Sequence, residues 1–465
     1  MEEQKFNIQD YFGKIKNILI KNARFAVNSS GQEGPADILI ENNLLKNVSG
    51  NIKISEIPGS GELIYSSERI KMYPDHMVID AGGLIAATAF TDIHTHLREP
   101  GNEQEEDISS ARSAAYAGGI TSVFGMPNTN PCIDCEHLVR YIRLRAIQEE
   151  FDVFCVAAMT RNLEGLEMTE TGLLKKAGAI ALSDDGKCVQ DAKLMYEIMK
   201  YSKQFDMPLI LHEEDYSFSR SGFVHEGFYS AKLGLDGILP LSEEVIITRD
   251  ILLALRSGAK VHFTHLSSAA SVELVRKAKE DGANVTCDVT PHHIFFNDSC
   301  LESFNPNFKV NPPIRSEEDR RSLIDGLNSG VIDAIASDHA PHLAVEKNSS
   351  VFSQAPYGAT GMETLFKASY TALCKKEGFS VKKLISLLSR NPRKIFNLDN
   401  PEIENPNKGK KIDMVLINLD SKKKIDKEDF YSKSSNSPFL NEELYSDIFC
   451  TIRKGKLVYL SQDGE

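Results

Sequence analysis

Eight apolar, strand-like segments follow one another between residues 83 and 405: LIAATAFTDIH, ITSVFGM, VFCVAAM, AIALS, PLILH, KVHFTH, NVTCDV and IDAIAS. Most are separated by amphipathic stretches such as EHLVRYIRLRAIQEE, DAKLMYEIMKYSKQ, EEVIITRDILLALRSG and AASVELVRKAKEDG. Several of these stretches end in glycine after a basic last turn, as helix C-termini prefer. Strands that are apolar on both faces must be covered on both faces. Eight of them alternating with helices predict a closed parallel (β/α)8 barrel, the TIM-barrel architecture. In nearly every segment the polar residues come after the apolar run, as in AFTDIHTH, ALSDDG, LILHEED, VHFTHLSS and AIASDHAPH. That is the C-terminal rim of such a barrel, where catalytic groups gather.

The two ends of the chain share a different style. NILIKNARFAV, DILIENNLLKNV and HMVIDAGGLIAA near the start, and DMVLINL and DIFCTIRKGKLVYL near the end, read as short strands, with RKGK as a hairpin turn. Residues 1–82 and 406–465 are therefore expected to form one small β-sandwich domain beside a barrel of residues 83–405. The stretch GSGELIYSSERIKMYPD reads as a polar surface loop or insertion.

Composition excludes several classes of partner. Lys and Arg total 53 against 66 Asp and Glu, a formal net charge of −13, which argues against a nucleic-acid or anionic-membrane binder. No apolar run reaches the length of a membrane span. Eight cysteines lie scattered without framework spacing, and the opening MEEQKFNIQD is acidic and polar, so reduced thiols in the cytoplasm are expected. Cys132 and Cys135 form a single CxxC without a second pair, which makes an ordinary loop the better reading than zinc or redox chemistry.

The rim carries a metal-ligating set. His94 and His96 stand two apart on a strand and so share a face. His212, His265 and Asp338 each close a later strand, and Asp185 follows the fourth. Four histidines with two carboxylates suit zinc, or manganese, cobalt or iron, rather than magnesium or calcium. Two ions close together would suit a hydroxide bridged between them. Asp184 competes with Asp185. His262 reads as a core histidine, His292 or His293 as a partner that orients a ligand, and His76, His137 and His225 as surface residues.

DIHTHLREPG, GMPNTNP, SDDG, VTPHH, NPPIR and DHAPH, in this order, with the tail SKSSNSPF, resemble the dihydroorotases of the bacterial type I class, within the cyclic-amidohydrolase superfamily. The likeness runs from about residue 15 to the end. It implies that His94, His96 and Asp338 hold one ion and that His212 and His265 hold a second, zinc in one or two copies with two favoured. Asp185 would take the bridging place that a carboxylated lysine fills in many relatives. Lys187, two residues beyond it, reads as a solvated loop residue.

By the same resemblance, Arg98, Asn128 and His342 meet the substrate carboxylate beside His96. Asn311 meets the ring, and Tyr357 and Gly358 offer backbone contacts where the family more often has Phe before Gly. The plainer readings are a rim salt bridge of Arg98 with Glu99, and turn roles beside proline for Asn128 and Asn311. The implied activity is reversible hydrolysis of dihydroorotate to N-carbamoyl-L-aspartate in pyrimidine (UMP) synthesis, with Asp338 as general base and then acid. The implied partners are that small-molecule pair, a second copy of the chain in a homodimer, and aspartate transcarbamoylase. A hydantoinase, an allantoinase or an inactive scaffold for a transcarbamoylase are the alternatives.

Overall fold

The computed structural model describes residues 11–25, 35–53, 62–219, 222–347, 351–399 and 409–461. All eight apolar segments form strands of one parallel sheet: Phe90–Thr95, Ile120–Gly125, Asp152–Ala158, Ala181–Ser183, Leu209–Leu211, Val261–Phe263, Val285–Val289 and Ala334–Ile335, paired in chain order. Thr95 bridges His339 in parallel register, so the last strand meets the first and the barrel closes. Asp92 pins the same seam. Its carboxylate accepts the Ser337 N–H at 2.9 Å and the Ser337 hydroxyl. The barrel is a (β/α)8 barrel with an additional sheet built from both ends of the chain.

Helices cover the barrel for reasons visible along the chain. Asp107, Asp191, Ser268 and Ser316 each cap a helix N-terminus with a side-chain oxygen. Such caps satisfy amides that have no partner within the helix. The helices Thr171–Ala177, Leu241–Ser257 and Glu317–Ser329 stop at Gly178, Gly258 and Gly330 in the left-handed conformation. Between barrel and helices lies one large apolar core, in which Phe90 stacks on Phe366 at 5.2 Å.

The segment LIAATAFTDIH is two strands rather than one. Ile85–Thr88 pairs antiparallel with Met414–Lys424 in the outer sheet, and only Phe90–Thr95 enters the barrel. GSGELIYSSERIKMYPD is not simply a loop either, since Tyr65–Ser66 and Ile70–Met72 pair antiparallel within it. Its residues 59–61 lie outside the described residues.

In the outer sheet, Asn17–Phe25 is shared by two leaves. It pairs with Ala36–Glu41 and His76–Asp80 in one, and with Ile85–Thr88 in the other. Ile18, Ile20, Ile38 and Ile79 from the first leaf meet Met414, Leu416, Cys450 and Ile452 from the second in one core, as a β-sandwich requires. RKGK forms the expected turn: Arg453 pairs with Lys456, while Lys454 and Gly455 take φ of 49° and 78°. Two positive φ values in a two-residue loop match the twist of the flanking strands. Val415, Ile417 and Ile448 point the other way and join the barrel's core, which ties the sandwich to the barrel.

Replacing Phe90 by alanine removes a fully buried ring at this junction and is expected to cost about 3–5 kcal/mol. A thermal melt of Phe90→Ala that coincides with the parent would contradict the packing described.

Candidate metal centre

Each barrel strand is short, so the residue after its last rung already stands at the mouth. His94 lies on the first strand and His96 follows it. His212, His265 and Asp338 come directly after, or soon after, Leu211, Phe263 and Ile335, and Asp185 follows Ser183. The structure brings all six together in a buried cluster. His94 Nε2 is 3.2 Å from Asp185 Oδ1 and 3.5 Å from Asp338 Oδ1. His96 Nε2 is 3.2 Å from Asp338 Oδ1 and 3.5 Å from Asp185 Oδ2. His265 Nε2 and His212 Nδ1 lie 3.8 and 3.9 Å from Asp185 Oδ1, and 3.0 Å from each other.

Asp185 is central to the cluster and Asp184 is not. The Asp184 carboxylate turns away to accept the amides of Met159 and Thr160 at 2.8 and 3.0 Å, together with the Thr160 hydroxyl. Lys187 is exposed.

The imidazoles are held in defined tautomers by groups the sequence reading did not single out for that role. Thr264 Oγ1 donates to Asp288 Oδ2 at 3.1 Å, so it accepts from His94 Nδ1 at 2.6 Å. Asn128 Oδ1 accepts from His96 Nδ1 at 2.8 Å. Glu214 Oε2 accepts from His212 Nε2 at 3.2 Å and from Asn311 Nδ2 at 3.0 Å. In each case the other ring nitrogen faces the cluster, and on His94 that nitrogen carries a proton which an ion would have to displace. Histidines that ligate metals are oriented in this way. Glu214, two residues after His212, carries a local signal, whereas Thr264 and Asp288 take this role only once the sixth and seventh strands pair.

The electrostatics point the same way. Burial by itself would push His94 down, but Asp185 and Asp338 overcome it and raise His94 to about 10. Burial likewise acts to raise Asp185 and Asp338, while the imidazoles hold both below the usual carboxylate range. Asp288 is buried too, and its bond to His262 keeps it lowered. The cluster thus has a strong need for positive charge. His94 Nε2 and Asp185 Oδ1 face each other, buried and without a hydrogen-bond partner among the described residues. The donor set of imidazole and carboxylate fits a borderline divalent ion. His265 and Asp338 reach inward with φ of 39° and 48°. Side chains other than glycine adopt that region at a cost of about 1–3 kcal/mol, a strain seen most often at functional sites.

Above the cluster is a cavity of about 180 Å³. Every residue expected at the substrate lines it: His96, Arg98, Asn128, Asn311, His342, Tyr357 and Gly358. Arg98 does not pair with Glu99. Its Nε lies 3.0 Å from Glu105 and donates to the Pro341 carbonyl at 3.1 Å, while Glu99 accepts from Arg145 at 2.6 Å and Tyr141 at 2.8 Å. Asn128 and Asn311 are more than turn residues, since their amides order His96 and Glu214. The Tyr357 hydroxyl donates to the Gly222 carbonyl at 2.7 Å, a bond Phe could not make.

Among the other histidines, His292 is buried near Asp338 and His265, and burial holds it down to about 4. His262 is buried between Thr286 and Asp288. Both nitrogens of His293 are taken, Nε2 by the Pro312 carbonyl at 3.0 Å and Nδ1 by Thr290 Oγ1 at 2.7 Å, so it orients none of the clustered rings. His76 and His225 are buried, not on the surface: His76 stacks on Tyr73 at 4.2 Å, and His225 lies beside Arg315. All eight cysteines are free thiols. Among the described residues no helix is long and apolar enough to cross a membrane.

Thr264→Val is isosteric but cannot bond His94, and is expected to weaken metal binding roughly tenfold to a hundredfold by chelator competition. An ion bound at His94 must displace that residue's proton. Affinity should therefore fall roughly tenfold for each displaced proton and each pH unit below about 10. Affinity independent of pH between neutrality and mild acid would contradict that linkage.

A family profile described as Dihydro-orotase-like matches residues 83–271. The chain is 42% identical to a dihydroorotase of Caldicellulosiruptor saccharolyticus, over 96% of this chain and 99% of that one. It is 40% identical to a dihydroorotase of Bacillus subtilis, over 90% and 98%. Among solved structures, the L-hydantoinase of Arthrobacter aurescens superposes with a TM-score of 0.80 at 23% identity, covering 95% of this chain and 96% of that one. A dihydropyrimidinase of Brevibacillus agri gives 0.77 at 19%, covering 96% and 95%. The two structures share the fold, whereas the near-full-length identity with the curated enzymes goes further: this chain belongs to the dihydroorotase family.

Proposed function

We infer that the chain catalyses the reversible hydrolysis of dihydroorotate to N-carbamoyl-L-aspartate, a step of pyrimidine synthesis, in the reducing cytoplasm. The observation that carries this reading is the joining of two things at one barrel mouth. A buried carboxylate–imidazole cluster lies directly below a cavity, and an arginine, Arg98, stands on the cavity wall. The substrate unites the same two needs, a ring amide to be opened and a carboxylate to be held.

Zinc is the favoured ion: His94, His96 and Asp338 would hold one, His212 and His265 would hold a second, and Asp185 would serve both. When bound, such an ion supplies a Lewis acid and lowers the pKa of water toward neutrality. The protein's own groups do the rest. Arg98, a planar fork of donors, grips the carboxylate with Asn128, beside His342, whose one N–H goes to the Tyr357 carbonyl. Burial and the neighbouring Arg98 hold His342 down to about 3, so it is neutral at physiological pH and adds no repulsive charge to Arg98. Asn311 orients the ring. Asp338 is ionised at neutral pH, so it can accept the proton of the attacking water. As the new C–O bond forms and the ring C–N bond breaks, it delivers that proton to the leaving nitrogen. The reverse order of the same transfers closes the ring.

A hydantoinase or allantoinase would have no carboxylate for Arg98 to bind, and an inactive scaffold would have no reason to keep six ligating side chains in contact. Turnover of dihydroorotate, hydantoin and allantoin, measured before and after chelation with the metal counted in parallel, separates the three. Turnover of dihydroorotate that survives complete removal of the ion would defeat the reading.

Asp338→Asn should lower kcat by roughly 10²–10⁴-fold with the fold retained. Residual kcat above a tenth of the parent would remove Asp338 from proton transfer. Arg98→Ala should impair dihydroorotate far more than an uncharged cyclic imide, and equal losses on both would show that it does not anchor the carboxylate.

A further inference from the structure

The tail motif SKSSNSPF has no part in the chemistry above, yet the structure threads it through the active-site loops. Ser432 donates to Glu106, which also meets His339 Nε2 at 3.2 Å, the residue after Asp338. Ser434 donates to the Glu105 carbonyl at 2.9 Å. Asn436, buried to 5% exposure, then enters between two walls of the substrate cavity. Its Oδ1 accepts the amide of His342 at 3.0 Å. Its Nδ2 donates to the carbonyls of Ala340 and Gly358, each at 3.2 Å. Its own carbonyl accepts the Thr360 amide at 3.1 Å.

An Asn side chain offers two amide hydrogens and one carbonyl oxygen. Here both hydrogens and the oxygen are engaged, and each bond goes to backbone of one of two segments, 340–342 or 358–360. Those segments approach so closely that a Cβ on Gly358 would lie 2.7 Å from the Ala340 Cβ and 3.2 Å from His342 Nε2. They also meet directly, through Ala340 N to Ala359 O at 2.8 Å and His342 Nε2 to Tyr357 O at 2.7 Å. The two direct bonds run between the segments, and Asn436 is a third element that binds both at once.

We propose that Asn436, delivered by the C-terminal segment, is a positioning residue for substrate recognition: it sets the separation of the His342 and Gly358 walls. Its effect is on binding, because the walls it holds carry the carboxylate and backbone contacts, while Asp338 and the imidazole cluster are fixed by other groups. This inference rests on the functional reading above and names a determinant of the same site.

The test is steady-state kinetics of Asn436→Ala and Asn436→Asp in the full, metal-loaded chain, with metal content and melting temperature measured alongside. The aspartate is nearly isosteric and keeps the acceptor for His342, but turns a second oxygen toward two carbonyls. Both variants should raise KM for dihydroorotate roughly tenfold while kcat changes by less than about threefold, and metal content should be retained. Amide hydrogen exchange at His342 and Thr360 should accelerate in the alanine variant.

KM unchanged in folded, metal-loaded variants would overturn the proposal. So would loss of fold and metal in both, which would make Asn436 a purely structural residue. A parent protein that does not turn over dihydroorotate would defeat the functional reading instead. The exchange rates at His342 and Thr360 would still decide whether Asn436 holds the two walls.

Discussion

Asp185 and Asp338 are two buried carboxylates that cannot remain charged inside a protein without positive charge beside them. Isolated, each would cost several kcal/mol. Four imidazoles surround them, and without another cation a proton must settle on His94 to balance the site. The surrounding structure keeps this unstable group of charges in place and ready to exchange that proton for a metal. The seam that closes the barrel, the strained backbone at His265 and Asp338 and the hydrogen-bonded partners of His94, His96 and His212 all serve that end.

Those partners come from different strands, which makes the geometry stiff. Asp288 alone binds Thr264, His262 and the His265 amide, so one residue of the seventh strand orients two of the four clustered histidines, His94 and His265. Glu214 does the same for His212 and Asn311, linking a ring of the cluster to a residue of the cavity wall. Asn128 joins His96 to the cavity. The imidazole cluster, the cavity wall and the scaffold are therefore not separate layers. A displacement at one is felt at the others, as expected where rigid elements and satisfied hydrogen bonds carry a catalytic group.

Much of this was legible before any coordinates. The eight apolar segments are read from local hydrophobicity, and each falls on a barrel strand. His94 and His96 declare themselves by strand alternation, and the habit of polar residues to follow each apolar run marks the rim. Other features were not legible, because each depends on which strands lie side by side. Arg98 stands next to Glu99 in the chain but beside Glu105 in space. Asp184 and Asp185 are neighbours with the same side chain, and only the direction of the loop decides which one faces the imidazoles. Thr264 and Asp288 look like ordinary strand residues until the sixth and seventh strands pair.

Residue chemistry along the chain was enough to decide the architecture and the family, because hydrophobic period, turn residues and ligand type are properties of short segments. It was also enough to name the side chains that gather at the barrel mouth and line its cavity. The partners of those side chains were settled by folding alone. Tautomer, charge state and the distance between two walls of a cavity arise from groups far apart in sequence, such as His94 with Thr264 and His342 with Asn436, and no local pattern encodes a contact between them.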